Sequence, residues 1–145
     1  MRTLPILVAL LFSSCATVQQ SFERPVAPGC KDAKLTTPLF PLDAVDSDPE
    51  VIGGLAELQK HIKYPEAAKR KRLSGQVWVD FAVNHEGCVV TAAVVETDHE
   101  ELNEAAMDAI YLSRFEPAKI DGKAVATRHQ LPITFRVSDD PFPLR

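Results

Sequence analysis

Residues 75–87 read GQVWVDFAVNHEG, and this stretch decides the fold. Every second residue in its first part is apolar, and these residues point to the same side of an extended chain: Val77, Val79, Phe81 and Val83. A period of two predicts a β-strand over residues 76–84 with one buried face. The turn-forming residues 84–87 follow and lead into a second apolar run, so the sequence predicts a β-hairpin.

The second strand of this hairpin is predicted over residues 88–96, where the alternation breaks down. Its apolar residues fit no single face of a strand: Val89, Val90, Ala92, Val94 and Val95. An extra residue in one strand of an antiparallel pair shifts the parity of the residues after it, so we expect a β-bulge here.

A helix is predicted over residues 101–114, after the hairpin. Acidic residues crowd its start, which suits the positive end of the helix dipole. Its apolar face is made of small and large residues at helical spacing: Leu102, Ala105, Ala106, Ala109, Ile110 and Ser113. The small residues allow this face to approach a sheet closely.

Two short helices are predicted before the first strand. Helical order is expected from Asp48, because Pro49 suits a first helical position, with an interruption at Gly53-Gly54. The first helix has one apolar face: Leu55, Leu58 and Ile62. Pro65 separates it from a second helix over residues 66–72, because the residue before a proline disfavours the α region.

The last strand is predicted over residues 125–137, after a turn at Asp121-Gly122. Pro132 lies inside it, and a proline argues for a sheet edge or for a position whose N–H is not needed. Connection rules place this strand beside the first one, so the spatial order is second, first, third. The predicted fold class is α+β, with a three-stranded antiparallel sheet (order 2-1-3) and helices packed on one face.

The N-terminal residues have the layout of an export signal: Arg2, an apolar run, and then small residues. The apolar run is shorter than the roughly 20 residues that a membrane-spanning helix needs. Residues 1–15 are therefore predicted as a signal peptide with a lipobox-like end, which makes Cys15 the lipidation site. The alternative is an ordinary signal that is cut after Ala16.

Domain boundaries follow from composition. Residues 16–47 contain recurring prolines and no persistent pattern, which predicts a lead-in or linker that packs in part on the domain. The folded domain is predicted over residues 48–138 and a tail over residues 139–145. If Cys15 is lipidated, Cys30 and Cys88 remain as a pair in an oxidising compartment. They either form a disulfide or stay two unrelated thiols, since the sequence does not show their separation.

Composition argues against several classes of function. The formal net charge is −4 and the pI about 5.5, which disfavours general nucleic-acid binding. The 4 histidines form no metal spacing with cysteine or with one another. Neither a nucleophile elbow nor a phosphate-binding glycine loop is present. We therefore expect no catalytic residue, no metal and no cofactor, and the chain is predicted not to be an enzyme.

Two further features of the sequence each allow two interpretations. The basic run at residues 69–72 either meets anionic headgroups or an acidic partner, or it is a solvated helix end that complements the dipole. Trp78 lies opposite the predicted core stripe. It is either an exposed contact residue or covered by the lead-in around Phe40.

Several short motifs occur in a fixed order along residues 48–137: Gly53-Gly54, Tyr64-Pro65 with Ala67, the alternating strand from Gly75, Gly87 and Val89 in the hairpin, Arg114-Phe115 with Pro117-Ala118, Gly122-Lys123, and Leu131-Pro132 with Phe135. Each motif alone is weak. Together, in this order and spacing, they resemble the TonB C-terminal domain family, and the resemblance covers most of the chain after the signal.

The resemblance implies a small periplasmic binding module related to TonB-dependent transport. In TonB, this domain grips a segment of an outer-membrane transporter, which adds to the last strand of the domain. Carried onto this chain, the receiving edge strand comprises Thr127, Arg128, His129, Gln130, Leu131, Ile133, Thr134 and Phe135. The expected partner is an outer-membrane receptor or another envelope protein.

The chain departs from TonB because its sequence predicts no spanning helix and only a short lead-in. An alternative function is therefore a structural or assembly lipoprotein of an envelope complex, without energy transduction, that forms a strand-exchanged homodimer. The expected location is the periplasm, with a lipid anchor in the outer membrane. If Cys15 is lipidated, Ala16 after it is compatible with sorting to the outer membrane, since lipoproteins held at the inner membrane often have Asp at that position.

Overall fold

The computed structural model describes residues 24–137. The predicted signal peptide with Cys15, the first part of the lead-in and the tail at residues 139–145 lie outside the described residues. Within residues 24–137, no helix has the length and apolarity needed to cross a membrane.

The described chain contains three long strands, four strands of two or three residues, three helices and two 3-10 turns. The strands are β1 (Leu39–Phe40), β2 (Glu50–Val51), β3 (Gly75–Val83), β4 (Val89–Thr97), β5 (Phe115–Glu116), β6 (Ala118–Ile120) and β7 (Lys123–Phe135). The helices are α1 (Gly54–Lys60), α2 (Glu66–Arg70) and α3 (Asn103–Leu112), with 3-10 turns at Leu42–Ala44 and Glu100–Leu102.

The main sheet has the order β1-β7-β3-β4, and β6 forms a hairpin with the start of β7. The three long strands pair antiparallel in the order β4-β3-β7, so the predicted order and the α+β class are confirmed. The prediction of a three-stranded sheet was incomplete, because β1 and β6 also pair with β7. Strands of two or three residues are too short to leave a periodic signal in the sequence.

The core lies between the sheet and the helices. The apolar face predicted for β3 is fully buried, with Phe81 only 1% exposed. All six residues of the predicted α3 face are buried as well. The ring centroid of Phe81 lies 5.0 Å from that of Phe115, which is three residues past the end of α3. The apolar face of β3 and the stripe at α3 belong to the same core cluster, so the two faces meet as the sequence predicted.

The expected irregularity in the hairpin is present at two places. The pairing between β3 and β4 shifts between Trp78 and Val79, and again between Ala82 and Val83. These shifts leave Val95 and Val90 as the extra residues of β4, which explains why its apolar residues fit no single face. The bulge prediction is confirmed.

The first predicted helix was placed wrongly. Pro49 opens no helix; instead, Glu50–Val51 forms β2, which pairs antiparallel with Phe115–Glu116. The helix begins only at Gly54, and Leu55, assigned to its apolar face, is 59% exposed. A capping pattern carries no information about a distant strand that competes for the same backbone groups. The other two helices also end two residues earlier than predicted, at Arg70 and Leu112.

Candidate protein-binding edge

One side of β7 is only partly covered by neighbouring strands. Its inner side pairs with β3 from Thr127 to Phe135. Before this stretch, residues 123–125 of β7 pair with β6 in a hairpin. On the side of β7 opposite β3, β1 pairs with residues 126–127. Among the residues that the structure describes, no strand pairs with the outer side of residues 128–135. We call residues 128–135 the open edge.

The direction of the backbone groups on the open edge follows from Gln76 on β3. The Gln76 carbonyl accepts from the Asp98 N–H at 3.1 Å, and the Gln76 N–H donates to Asp98 Oδ2 at 2.8 Å. Both groups of Gln76 therefore point towards β4. In an antiparallel pair, two opposite residues either bond each other or both point away. Thr134 lies opposite Gln76, so its N–H and C=O point outwards.

The same parity holds along the open edge. The backbone groups of every second residue before Thr134 also point outwards, namely those of Pro132, Gln130 and Arg128. Pro132 fits this arrangement because its nitrogen carries no hydrogen and sits where β3 needs no donor. The open edge thus offers the N–H groups of Arg128, Gln130 and Thr134 to solvent. The sequence alone left open whether this parity or that of His129 and Leu131 faces outwards.

The side chains on the helix side of the open edge are buried (Ile133 and Phe135) or partly buried (His129 and Leu131). His129 packs edge-on against Phe81, with ring centroids 5.7 Å apart. Burial lowers the pKa of His129, and the nearby Asp48 opposes this shift. Phe135 makes a similar edge contact with Tyr64 at 5.7 Å. This side of the open edge is therefore apolar apart from the imidazole of His129.

A groove adjoins the C-terminal end of the open edge. It runs between the end of α1 and the last residues of β7, and it is lined by Gln59, Ile62, Tyr64, Thr134, Phe135 and Arg136. Ile62 and Tyr64 are half-buried and pack against the core. The Tyr64 hydroxyl donates to the Leu73 carbonyl, which holds the ring in place.

The opposite face of the sheet is polar near the open edge. Asp80 on β3 is 5% exposed, and Arg128 Nε donates to its Oδ2 at 2.6 Å. This hydrogen bond with Asp80 raises the pKa of the Arg128 guanidinium. Trp78 is 36% exposed on the same face, so it is an exposed residue of the sheet. Arg128 therefore combines an outward backbone with a side chain anchored on β3.

The predicted site residues are not all equivalent in the structure. Residues 128–135 lie on the open edge, whereas Thr127 is completely buried opposite Phe40 and lies beyond it. Cys30 and Cys88 are joined by a disulfide. β1 was not predicted from the sequence. Its sign in the sequence is the apolar pair Leu39-Phe40, which lies between Pro38 and Pro41. The groove was not predicted either, because helix and edge meet only in the folded chain.

The long strands form an antiparallel arrangement backed by helices on one face, and no described strand pairs with the outer side of residues 128–135 of the last one. The chain belongs to the TonB C-terminal domain family: the model for the Gram-negative bacterial TonB protein C-terminal region matches residues 60–137, which is 78 of the 145 residues. Domains of this family are non-enzymatic protein-interaction modules related to TonB-dependent transport.

Similar proteins include TonB of Haemophilus influenzae, which is 41% identical over 59 residues. That match covers 40% of this chain and 22% of the TonB protein, so the chain spans about a fifth of its relative. The solution NMR structure of the Pseudomonas aeruginosa TonB C-terminal domain has a TM-score of 0.49 and 22% identity, covering 72% of this chain and 99% of that one. The Helicobacter pylori TonB C-terminal domain (residues 194–285) has a TM-score of 0.41 and 22% identity, covering 59% and 90%.

Proposed function

We propose that this chain captures an extended segment of an outer-membrane transporter, or of another envelope protein, by adding it as a strand to the open edge of β7. The observation that supports the proposal is the row of outward backbone groups from Arg128 to Thr134. Unpaired donors and acceptors at a sheet edge form ladder hydrogen bonds with an added strand. Binding of this kind requires no catalysed reaction. We therefore propose that this chain, like the other domains of its family, is not an enzyme.

Side chains beside the open edge supply selectivity. Alternate residues of an added strand would point to the helix side, where half-buried Leu131 packs against the core. The groove next to Thr134 offers the apolar surfaces of Ile62 and Tyr64. The other residues of the added strand would meet the polar face around Arg128. A segment with apolar residues at every second position fits this arrangement.

Proline substitution at the open edge tests this function. Gln130→Pro removes an outward N–H and leaves the ladder with β3 intact, so the domain should fold and lose its partner. Gln130→Ala is the matched control, because it removes the same side chain and keeps the N–H. In each variant a photo-crosslinking residue replaces the exposed Thr134, and crosslinks are formed in envelopes of the native host.

The expected result is one crosslinked envelope protein in the parent and in Gln130→Ala, and its loss in Gln130→Pro. Circular dichroism of each purified variant checks that the fold is kept. A folded Gln130→Pro protein that crosslinks as well as the parent would show that the binding site lies elsewhere. Crosslinking of the chain to itself, together with a stable dimer in sedimentation, would favour the alternative function as a structural assembly lipoprotein.

We also propose that the chain works in the periplasm, anchored to the outer membrane by lipid on Cys15. The support is the sequence LFSSC at residues 11–15, followed by Ala16. Mass spectrometry of the N-terminus from native membranes should show a mature chain that starts at Cys15 and carries lipid. An unmodified start at Thr17 would contradict this anchor and leave the strand-addition proposal untouched.

A further inference from the structure

The segment before the domain is bound to it at successive points. We call residues 24–47 the strap. The Ala27 N–H donates to the Tyr111 carbonyl at the end of α3, at 2.9 Å. Further along, the disulfide ties Cys30 to Cys88 next to the turn of the β3–β4 hairpin. Asn84 Nδ2 then donates to the Lys34 carbonyl at 3.3 Å. The strap therefore follows a defined course across the domain.

This course ends at the edge of β7. Leu39 and Phe40 form β1, which pairs parallel with Ala126 and Thr127. Pro41 follows and has no N–H to donate, and the chain turns away into the 3-10 turn Leu42–Ala44. The strap thus leaves β7 at the position where it would meet Arg128.

A second set of bonds holds the strap on its way out. The Asp46 N–H donates to the Lys119 carbonyl at 2.8 Å, and Asp46 Oδ2 accepts from the Asp121 N–H at 2.6 Å. Ser47 also bridges to Lys119 on β6. β1 is consequently anchored on both sides, by the disulfide before it and by the β6–β7 hairpin after it.

We propose that the strap determines where a partner strand pairs with β7, because it is an intramolecular strand already added to the receiving strand. This inference rests on the proposed function. Ala126 has the same parity as Arg128 and Gln130, and β1 occupies its outer side. A partner strand that extends past Arg128 must displace β1 from its anchors. The strap therefore limits addition to residues 128–135 and restricts the register of the partner.

Register matters at this site because a slip of one residue moves every side chain to the other face of the sheet. On the open edge, such a slip would exchange the apolar side near Leu131 for the polar side near Arg128. A fixed stop at one end of the edge disfavours slipped pairings. The strap thus acts as a specificity element through its position on the edge of β7.

A double substitution in the strap tests this role. Leu39→Pro together with Phe40→Pro removes both N–H groups of β1 and leaves the disulfide and the Asp46 bonds in place. Thr36→Pro is the matched control, because it places a proline in an exposed part of the same strap outside β1. If the double variant loses its fold by circular dichroism, Asp46→Ala replaces it, since it removes only the acceptor for Asp121.

The first measurement is amide hydrogen exchange on the purified domain. The Ala126 amide should exchange at least tenfold faster in the double variant than in the parent, with Thr36→Pro like the parent. Unchanged exchange at Ala126 would show that β1 does not cover this edge, and the inference would fall.

The second measurement places a photo-crosslinking residue at Gln130 or at Ala124, both exposed, in native envelopes. Ala124 lies four residues from Arg128, about 13 Å along a strand. The parent and Thr36→Pro should crosslink the partner from position 130 only, and the double variant from both positions. Crosslinks from 124 in the parent, or none from 124 in a double variant that still crosslinks from 130, would overturn the role of the strap. No product from 130 in the parent would instead overturn the proposed function.

Discussion

Replacement of Phe81 by alanine tests the strand parity on which the assignment of the open edge depends. Phe81 is 1% exposed in the middle of β3, between the rings of Phe115 and His129. Its neighbour in register on β7 is His129, whose backbone groups we assign to the inner side. Along a strand of L-residues, the side-chain face and the direction of the backbone groups alternate together. With β3 on the inner side of β7, a core-facing Phe81 opposite His129 therefore goes with outward groups at Gln130.

The expected magnitude follows from this burial. Complete burial of a phenylalanine side chain stabilises the folded state by about 1.5–3 kcal/mol through apolar transfer. Removal of the ring also leaves a cavity between two aromatic neighbours, and Phe→Ala substitutions in cores cost about 3–5 kcal/mol in total. Trp78→Ala is the matched control on the opposite face of the same strand, where the side chain is 36% exposed. Its cost should be about 1 kcal/mol.

Urea denaturation of the disulfide-intact domain, followed by circular dichroism, measures both free energies of unfolding. If Phe81→Ala is too unstable to fold, Phe81→Leu replaces it, with an expected loss of about 1–1.5 kcal/mol. A loss below about 1 kcal/mol for Phe81→Ala, or a larger loss for Trp78→Ala than for Phe81→Ala, would refute the parity. The outward direction assigned to Gln130 and Thr134 would then be wrong as well.

Two further predictions concern the cysteines and His129. Thiol titration of the unfolded, unreduced domain should find Cys30 and Cys88 unreactive. For a sequence separation of 58 residues, loop entropy gives the disulfide about 4 kcal/mol of stability. The double substitution Cys30→Ser with Cys88→Ser should therefore lower the urea midpoint of unfolding. His129 has a lowered pKa in the folded state, so the unfolded chain binds its proton first and stability falls as the pH drops below about 6.5. His129→Phe should show a smaller loss between pH 7.5 and 5.5, and an equal loss in both proteins would exclude this contribution.

Local patterns in the sequence were sufficient for the long elements. The alternation from Val77 to Val83 and the small-residue stripe on α3 are properties of neighbouring residues, and they report which face is buried before any partner is known. Connection rules then placed the last strand beside the first, and Pro132 marked it as an edge. Motifs spread along the chain supported the family assignment, because their combined order and spacing is specific even though each motif alone is weak.

Pairing between distant residues was beyond the sequence. β1 and β2 are two-residue strands that exist only because β7 and β5 lie next to them, and neither has a period that can be read. The helix expected at Pro49 does not form, because Glu50 and Val51 pair with β5 instead. The outward parity of Thr134 rests on the bonds that Gln76 makes with Asp98. A strand's own sequence shows which side chains alternate, but the direction of its free backbone groups depends on which neighbour already holds the others. For that reason the sequence by itself determined the strand that would be open, and only the tertiary structure decided where along that strand the open edge begins.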